Sequence, residues 1–173
     1  MAHQHSASGA SIEIPSRGPL LGVDYGTRRV GLAISTADQT IASPLTICQR
    51  GSEQQESRIF REVLADYQVR GIILGLPIHV NGEEGQTAYH ARAYGNWLGR
   101  LSGLPVDYWD ERFTSAVADD FLLAANFTRD QRKKRLDMVA AQIMLQSYLD
   151  RRNPKPLSSH SLDPSSGDPP PEH

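Results

Sequence analysis

Short apolar runs alternate along the chain with segments whose apolar residues recur at helical spacing, a pattern typical of an α/β protein. Strands are predicted at residues 20–24, 29–35, 40–47, 71–75 and 106–109. Helices are predicted at residues 53–67, 86–101, 114–123 and 132–149, the third of them capped by Thr114. Three consecutive strands followed by crossover units predict a mixed five-stranded sheet, an antiparallel three-strand meander extended by parallel strands and flanked by helices. Because Pro44 cannot donate to a neighbouring strand, the third strand is expected at an edge or with a bulge.

The two ends of the chain differ in composition from the body between them. Residues 1–17 are rich in Ser, Ala, Gly and His without periodicity, and are expected to form a flexible leader. Residues 153–173 are rich in Pro, Ser and Asp, and are expected to form a disordered tail. Residues 18–152 remain as one domain, with no internal repeat.

Composition excludes several classes of protein. Hydrophobic residues make up 39% and charged residues 22% of the 173 positions, as in ordinary globular domains. No apolar run reaches the length of a membrane span, and no basic segment followed by an apolar one opens the chain. A cytoplasmic protein with no membrane partner is therefore expected. The single cysteine, Cys48, excludes an intramolecular disulfide and a multi-cysteine zinc site.

Net charge permits a nucleic-acid ligand without requiring one. The formal net charge is -2, but the excess of acids lies in the C-terminal tail, and the body is neutral. If several acids of the body face metal ions, the surface left to meet a polyanion is mildly basic.

Carboxylates follow two of the predicted strands. Asp24 ends the first strand between Gly22 and Gly26, which let a phosphate or a metal approach the backbone closely. Asp110 and Glu111 follow the last strand, at the end where open α/β sheets hold their ligands. Only one of these two neighbours can point along a cleft, because successive side chains face opposite ways. The alternatives are a turn aspartate at Asp24 and a solvated strand end that pairs with an arginine.

A third acid, Asp137, lies among apolar residues inside the last predicted helix. Ala140 and Ala141 would let this helix lie close to a sheet, where an acid is costly unless a cation or a donor compensates. A buried salt bridge to an arginine is the alternative. Three ionised acids brought together would repel without a cation, and oxygen ligands suit Mg²⁺ or Mn²⁺. Two such ions can activate a water and stabilise the leaving oxygen of a phosphodiester.

Four ordered segments resemble motifs of the YqgF (RuvX) family. The first is LGVDYGTRRVGLAIS at residues 21–35, and GLPIHVNG follows at residues 75–82. WDERFTS at residues 109–115 and the segment at residues 137–149 come next in the same order. The resemblance covers roughly residues 18–152.

This resemblance implies a ribonuclease H-like fold, similar to that of Holliday junction resolvases, and a nuclease that processes the 5′ end of precursor 16S rRNA. Such nucleases draw carboxylates from the first strand, a later strand end and the last helix. The resemblance therefore implies that Asp24, Glu111 and Asp137 are the catalytic acids and the ligands of Mg²⁺ or Mn²⁺. Phe113 stands where the family more often has a leucine, a change of volume expected to have little effect.

Basic side chains near these acids are candidates for phosphate contacts. Arg28 and Arg29 follow Asp24 directly, and Arg112 and Thr114 are assigned to the same nucleic-acid interface. Five basic side chains precede Asp137: Arg129, Arg132, Lys133, Lys134 and Arg135. Because the helix dipole disfavours cations at a helix start, this run favours phosphate binding over a merely solvated surface. His79, in a loop expected to form a rim over the cleft at residues 75–85, is a weaker candidate for a proton donor.

Three other functions fit part of this pattern. The first is a Holliday junction resolvase acting on branched DNA, which requires a two-fold dimer. A non-catalytic RNA-binding assembly factor, retaining the fold, is the second. The third is an ATP-binding protein of the actin and sugar-kinase type, which has a similar first turn but needs two domains. The predicted partners are precursor 16S rRNA, within ribosomal particles, or branched DNA.

Overall fold

Five strands form one mixed sheet in the order β3-β2-β1-β4-β5, in a computed structural model that describes residues 13–113 and 129–154. The strands are β1 (Leu20–Tyr25), β2 (Arg29–Ser35), β3 (Ala42–Gln49), β4 (Gly71–Leu76) and β5 (Val106–Asp110). β1, β2 and β3 are antiparallel neighbours, whereas β4 is parallel to β1 and β5 is parallel to β4. The predicted meander extended by parallel strands is confirmed, and every strand boundary lies within two residues of its prediction.

Two helices cover one face of the sheet and a third covers the other. α1 (Glu53–Asp66) begins at a capping box in which Ser52 and Gln55 satisfy each other's backbone N–H groups. α2 (Gln86–Ser102) packs with α1 on the side chains of Leu21 and Val23. α3 (Arg129–Arg152) packs on the opposite face, against Leu20 and its neighbours.

The sequence predicts α3 only over residues 132–149, and the observed helix is three residues longer at each end. Its polar ends lack the apolar periodicity on which the prediction rests. A 3-10 helix (Glu111–Phe113) follows β5. The helix predicted at residues 114–123, with its cap Thr114, lies outside the described residues. For residues 129–138 the structure describes the backbone alone.

α3 approaches β1 most closely at Gly22. A Cβ at this position would lie 2.8 Å from Leu145 Cβ and 3.3 Å from the carbonyl oxygen of Ala141. The C-terminal end of α3 contacts the segment that precedes β1, which shows that the helix and the strand run in opposite directions. Arg152 Nη2 donates to the Ile14 carbonyl at 2.6 Å.

The folded body extends further towards the N-terminus than the composition predicted. Ile14, which the sequence placed in a flexible leader, is 7% exposed and packs with Leu20 and Trp109 in the core under α3. A single apolar residue in a polar segment gives no periodic signal, so the sequence pattern does not predict the burial of Ile14.

Side chains of α3 cover the outer edge of β3. Gln146 Oε1 accepts from the Ala42 backbone N–H at 2.8 Å, and Gln142 Nε2 donates to the Ala42 carbonyl at 3.0 Å. β3 is an edge strand, and its pairing with β2 shifts register next to Pro44, so both features predicted from that proline are confirmed. None of the helices in the described residues is both long and apolar enough to cross a membrane.

Gly22→Ala should destabilise the protein by about 1–3 kcal/mol, because the added methyl forces α3 away from β1. Gly99→Ala is the matched control. Its Cβ would meet Val106 at 3.4 Å in ordinary contact, and alanine favours the interior of α2. Urea unfolding of both variants checks this, and equal midpoints would contradict the close approach.

Candidate active site

Asp24 stands near the end of β1, on the face of the sheet that α3 covers. It shares this face with Leu20 and Gly22, since alternate residues of a strand point the same way. In the register of β1 and β4, Val23 pairs with Leu74, so Asp24 comes next to Gly75. Gly75 pairs in turn with Trp109 of β5. One row across the sheet therefore leads from Asp24 to the residues just before Glu111.

The carboxylate of Glu111 lies over Gly75. A Cβ at Gly75 would be 2.5 Å from Glu111 Oε1 and 3.3 Å from its Cδ, so a side chain on β4 would exclude Glu111 from this position. Because the glycine leaves the surface of β4 open, the Glu111 side chain occupies the middle of the row.

Asp110, the neighbouring acid, belongs to a different contact. Arg112 donates to it through Nη2 at 2.6 Å and through Nε at 2.9 Å, and this ion pair is partly exposed. The hydrogen bonds from Arg112 hold the pKa of Asp110 below its usual range. The strand pattern left open which of the two acids faces the cleft and the family resemblance implied Glu111; in the structure it is the Glu111 carboxylate that lies over Gly75.

Glu111 is a poorly ionised carboxyl in the metal-free protein. Burial, together with the negative charges of Asp24 and then Asp110, raises its pKa to about 7. A divalent cation bound between Asp24 and Glu111 would relieve both the repulsion and the desolvation. These two oxygen donors fit Mg²⁺ or Mn²⁺, which prefer carboxylate ligands.

Asp137 occupies the matching position on α3. It precedes Ala141 by one helical turn and so belongs to the same stripe as Ala141 and Leu145, which lie against Gly22. Four helical residues rise about 6 Å, and two strand residues advance about 7 Å, so the backbone of Asp137 comes level with Asp24. Its side chain is not described, and the described side chains alone contain no group of three metal-binding residues.

The predicted basic side chains divide into three groups. Arg28, in the turn after β1, and Arg29, at the start of β2, are exposed, and with Asp24 they line a depression of about 220 Å³. Arg112 is partly neutralised by Asp110, and its guanidinium reaches the loop around Gly82, where a Cβ would lie 3.7 Å from Nη1. The first turns of α3 carry Arg132, Lys133, Lys134 and Arg135, whose side chains, like the whole of Thr114, lie outside the description.

His79 makes its described contacts within its own loop. Its backbone N–H donates to Glu83 at 2.9 Å, and its carbonyl accepts from Gly82 at 2.8 Å. The imidazole packs directly against Gly85, where a Cβ would collide with it. These contacts give His79 a role in holding the loop closed.

On the face of the sheet covered by α1 and α2, the structure contains a buried ion pair that the sequence did not predict. Glu56 is 4% exposed and accepts from Arg50 Nε at 2.9 Å and from the Tyr94 hydroxyl at 2.7 Å. Burial alone would raise the pKa of Glu56, but the hydrogen bonds from Arg50 and Tyr94 outweigh it and lower the pKa. The guanidinium also lies 5.2 Å from the ring centre of Tyr25.

Arg50 braces the turn that follows Asp24. Its Nη1 donates to the Gly26 carbonyl at 3.3 Å, and its backbone N–H donates to the Arg28 carbonyl at 2.9 Å. These partners lie more than twenty positions apart in the sequence, so no local motif signals the contact.

The mixed sheet, an antiparallel three-strand meander extended by two parallel strands with helices on both faces, defines a fold of the ribonuclease H-like class. The fold is similar to that of Thermus thermophilus RuvC, solved in complex with a Holliday junction substrate. The TM-score is 0.51 at 14% identity, over 81% of this chain and 99% of that chain. The chain belongs to the RuvX family, whose model, described as Holliday junction resolvase, matches residues 18–151.

Relatives of similar length carry the name "Putative pre-16S rRNA nuclease". One from Rhodopirellula baltica is 36% identical over 155 residues, which cover 89% of this chain and 90% of the relative. Another from Cereibacter sphaeroides is 38% identical over 138 residues, which cover 80% of this chain and 86% of the relative. The resemblance stated from the motifs is thereby confirmed.

Glu111→Gln should stabilise the metal-free protein by about 1–3 kcal/mol above pH 7. In the wild type, Glu111 ionises near its ordinary pKa of 4.5 when unfolded but only near 7 when folded. The wild type therefore loses stability as the pH rises between these values, and the glutamine variant is spared that loss. Thermal unfolding in EDTA from pH 4 to pH 8 measures the difference.

Glu62→Gln serves as the control, because the Glu62 side chain is exposed to solvent. An advantage of Glu111→Gln that stays the same at pH 4 and pH 8 would contradict the crowded position of Glu111.

Proposed function

We propose that this chain is a divalent-metal-dependent nuclease that processes the 5′ end of precursor 16S rRNA. The observation that carries the proposal is the pairing of Asp24 with Glu111 at the carboxyl ends of the strands. Burial, together with the negative charge of Asp24, raises the pKa of Glu111, and such a group of acids is suited to a bound cation. The printed names of the curated relatives support the substrate.

Asp24, Glu111 and Asp137 would be the metal ligands and the catalytic acids. Mg²⁺ or Mn²⁺ bound there would supply an activated water and stabilise the leaving oxygen of a phosphodiester. Gly75 leaves room over β4 for the Glu111 side chain, and α3 covers the inner end of β1.

The basic side chains around the acids would bind the phosphate backbone. Arg28 and Arg29 stand in the turn braced by Arg50, beside the depression that Asp24 lines. The basic run at residues 132–135, together with Arg112 and Thr114, would extend this interface. Such contacts hold the polyanion without reading its sequence, and the protein would act in the cytoplasm on ribosomal particles.

Branched DNA is the second candidate substrate, because the matching family model is described as Holliday junction resolvase. The same acids and the same metal would cut either polymer. The two substrates differ in symmetry, since resolving a junction requires two sites related by a two-fold axis.

Cleavage of a labelled precursor 16S rRNA fragment should require Mg²⁺ or Mn²⁺ and should stop in EDTA. Asp24→Asn and Asp137→Asn should each lower the rate by at least about a hundredfold, since even outer-shell changes at metal sites cost 10–100-fold. Asp66→Asn, an exposed change at the end of α1, should leave the rate unchanged. Circular dichroism establishes that each variant is folded.

A four-way DNA junction tested beside the RNA separates the candidate substrates. Cleavage of the junction alone would mean that the same site acts on branched DNA in recombination. RNA binding without cleavage under all metal conditions would refute the nuclease and leave an assembly factor.

Arg28→Gln should weaken RNA binding and reduce the slope of log affinity against log salt by about one, as expected for one lost phosphate contact. Arg61→Gln removes the same charge from α1, on the opposite face of the sheet, and should leave the slope unchanged. Filter binding over a salt series measures both, and identical slopes for the two variants would exclude Arg28 from the interface.

A further inference from the structure

Phe113 presents an aromatic ring to solvent at the end of the 3-10 helix that carries Glu111. The side chain is 55% exposed, yet its ring rests on the buried Trp109 with the ring centres 5.8 Å apart. Trp109 is in turn held by Tyr148 in an edge contact at 5.9 Å. The exposed ring of Phe113 therefore packs against side chains of the core.

Arg151 of α3 completes an aromatic and cationic surface. Its guanidinium carbon lies 5.2 Å from the ring centre of Phe113 and 5.7 Å from that of Trp109. Within the described residues, neighbouring acids have other partners, since Asp110 pairs with Arg112 and Asp150 accepts from Gln146. The charge of Arg151 is thus not matched by a salt bridge in that part of the chain.

Concave surfaces of about 650 Å³ and 380 Å³ lie beside this group, and Trp109, Phe113 and Arg151 line both of them. Each offers room for a planar ring next to the Phe113 face. A flat cation beside an aromatic ring is the chemistry that stacks nucleobases in single-stranded nucleic acids.

We propose that Phe113 and Arg151 form a stacking site for an unpaired nucleobase of the RNA, adjacent to the phosphodiester that is cut. This proposal rests on the proposed function and specifies its substrate. Phe113 follows Glu111 by two residues in the same 3-10 helix, so the ring and the acid are carried by one short segment of the chain.

The stacking site distinguishes single-stranded from double-stranded RNA and accepts any base. Every base has an aromatic face, but in a duplex that face is covered by the neighbouring base pairs. The site therefore favours RNA that is single-stranded beside the cut.

The test measures binding in EDTA, where the metal is absent. Short single-stranded RNAs carry 2-aminopurine at successive positions, and the fluorescence of this base is quenched when it stacks. Phe113→Leu keeps an apolar contact with Trp109 but removes the ring. It should abolish the quenching and weaken single-strand binding about 5- to 100-fold, as expected for one stacked base.

Phe113→Trp should restore both signals, and Arg151→Ala should reduce them. Tyr89→Leu removes an exposed ring from α2, on the opposite face of the sheet, and should change neither. Binding of a blunt RNA duplex should be the same in all of these variants.

Quenching and affinity that survive in Phe113→Leu would overturn the stacking site, as would equal losses for single strand and duplex. Cleavage by the wild type with Mg²⁺ is measured in parallel. If the wild type cuts RNA while Phe113→Leu binds normally, the proposed function stands and the stacking site fails. If nothing is cut but the quenching depends on Phe113, the stacking site stands and the nuclease fails.

Discussion

The face of the sheet under α3 depends on two positions that carry no side chain. At Gly22 the helix approaches the strand so closely that a methyl group would meet Leu145, and at Gly75 the Glu111 carboxylate occupies the space of a missing Cβ. The first glycine sets the height of α3 above β1. The second lets an acid from beyond β5 lie over β4, beside the row that begins at Asp24.

Crowding these acids together costs stability. Burial and the charge of Asp24 keep Glu111 partly protonated near neutral pH, so the metal-free fold holds an arrangement that its own electrostatics oppose. A site of this kind is stabilised by what it binds, since a cation that binds only the folded state adds its binding free energy to folding. A divalent ion bound there, as proposed, would be attracted by the same negative charges that oppose one another in the metal-free fold.

The opposite face supports the site by a different means. There Glu56, Arg50 and Tyr94 form a buried network in which every charged group has a partner, and Arg50 holds the turn that presents Arg28. Removing one member would leave an unpaired charge in the interior, which is far more costly than losing an exposed pair. On this face of the sheet the charged groups of the network are therefore paired within the protein.

The sequence by itself determined the order of elements, the mixed sheet, the edge position of β3 and the family, because apolar periodicity, Pro44 and the ordered motifs are local signals. It also singled out Asp24 and the pair Asp110 and Glu111. The family motif singled out Glu111, but only the tertiary structure showed that its carboxylate lies over Gly75 while Asp110 pairs with Arg112, since both contacts depend on the strand register. The burial of Ile14, the bracing by Arg50 and the surface shared by Phe113 and Arg151 were likewise beyond the sequence. Each of these contacts joins residues distant in the chain, and local patterns carry no information about such pairs.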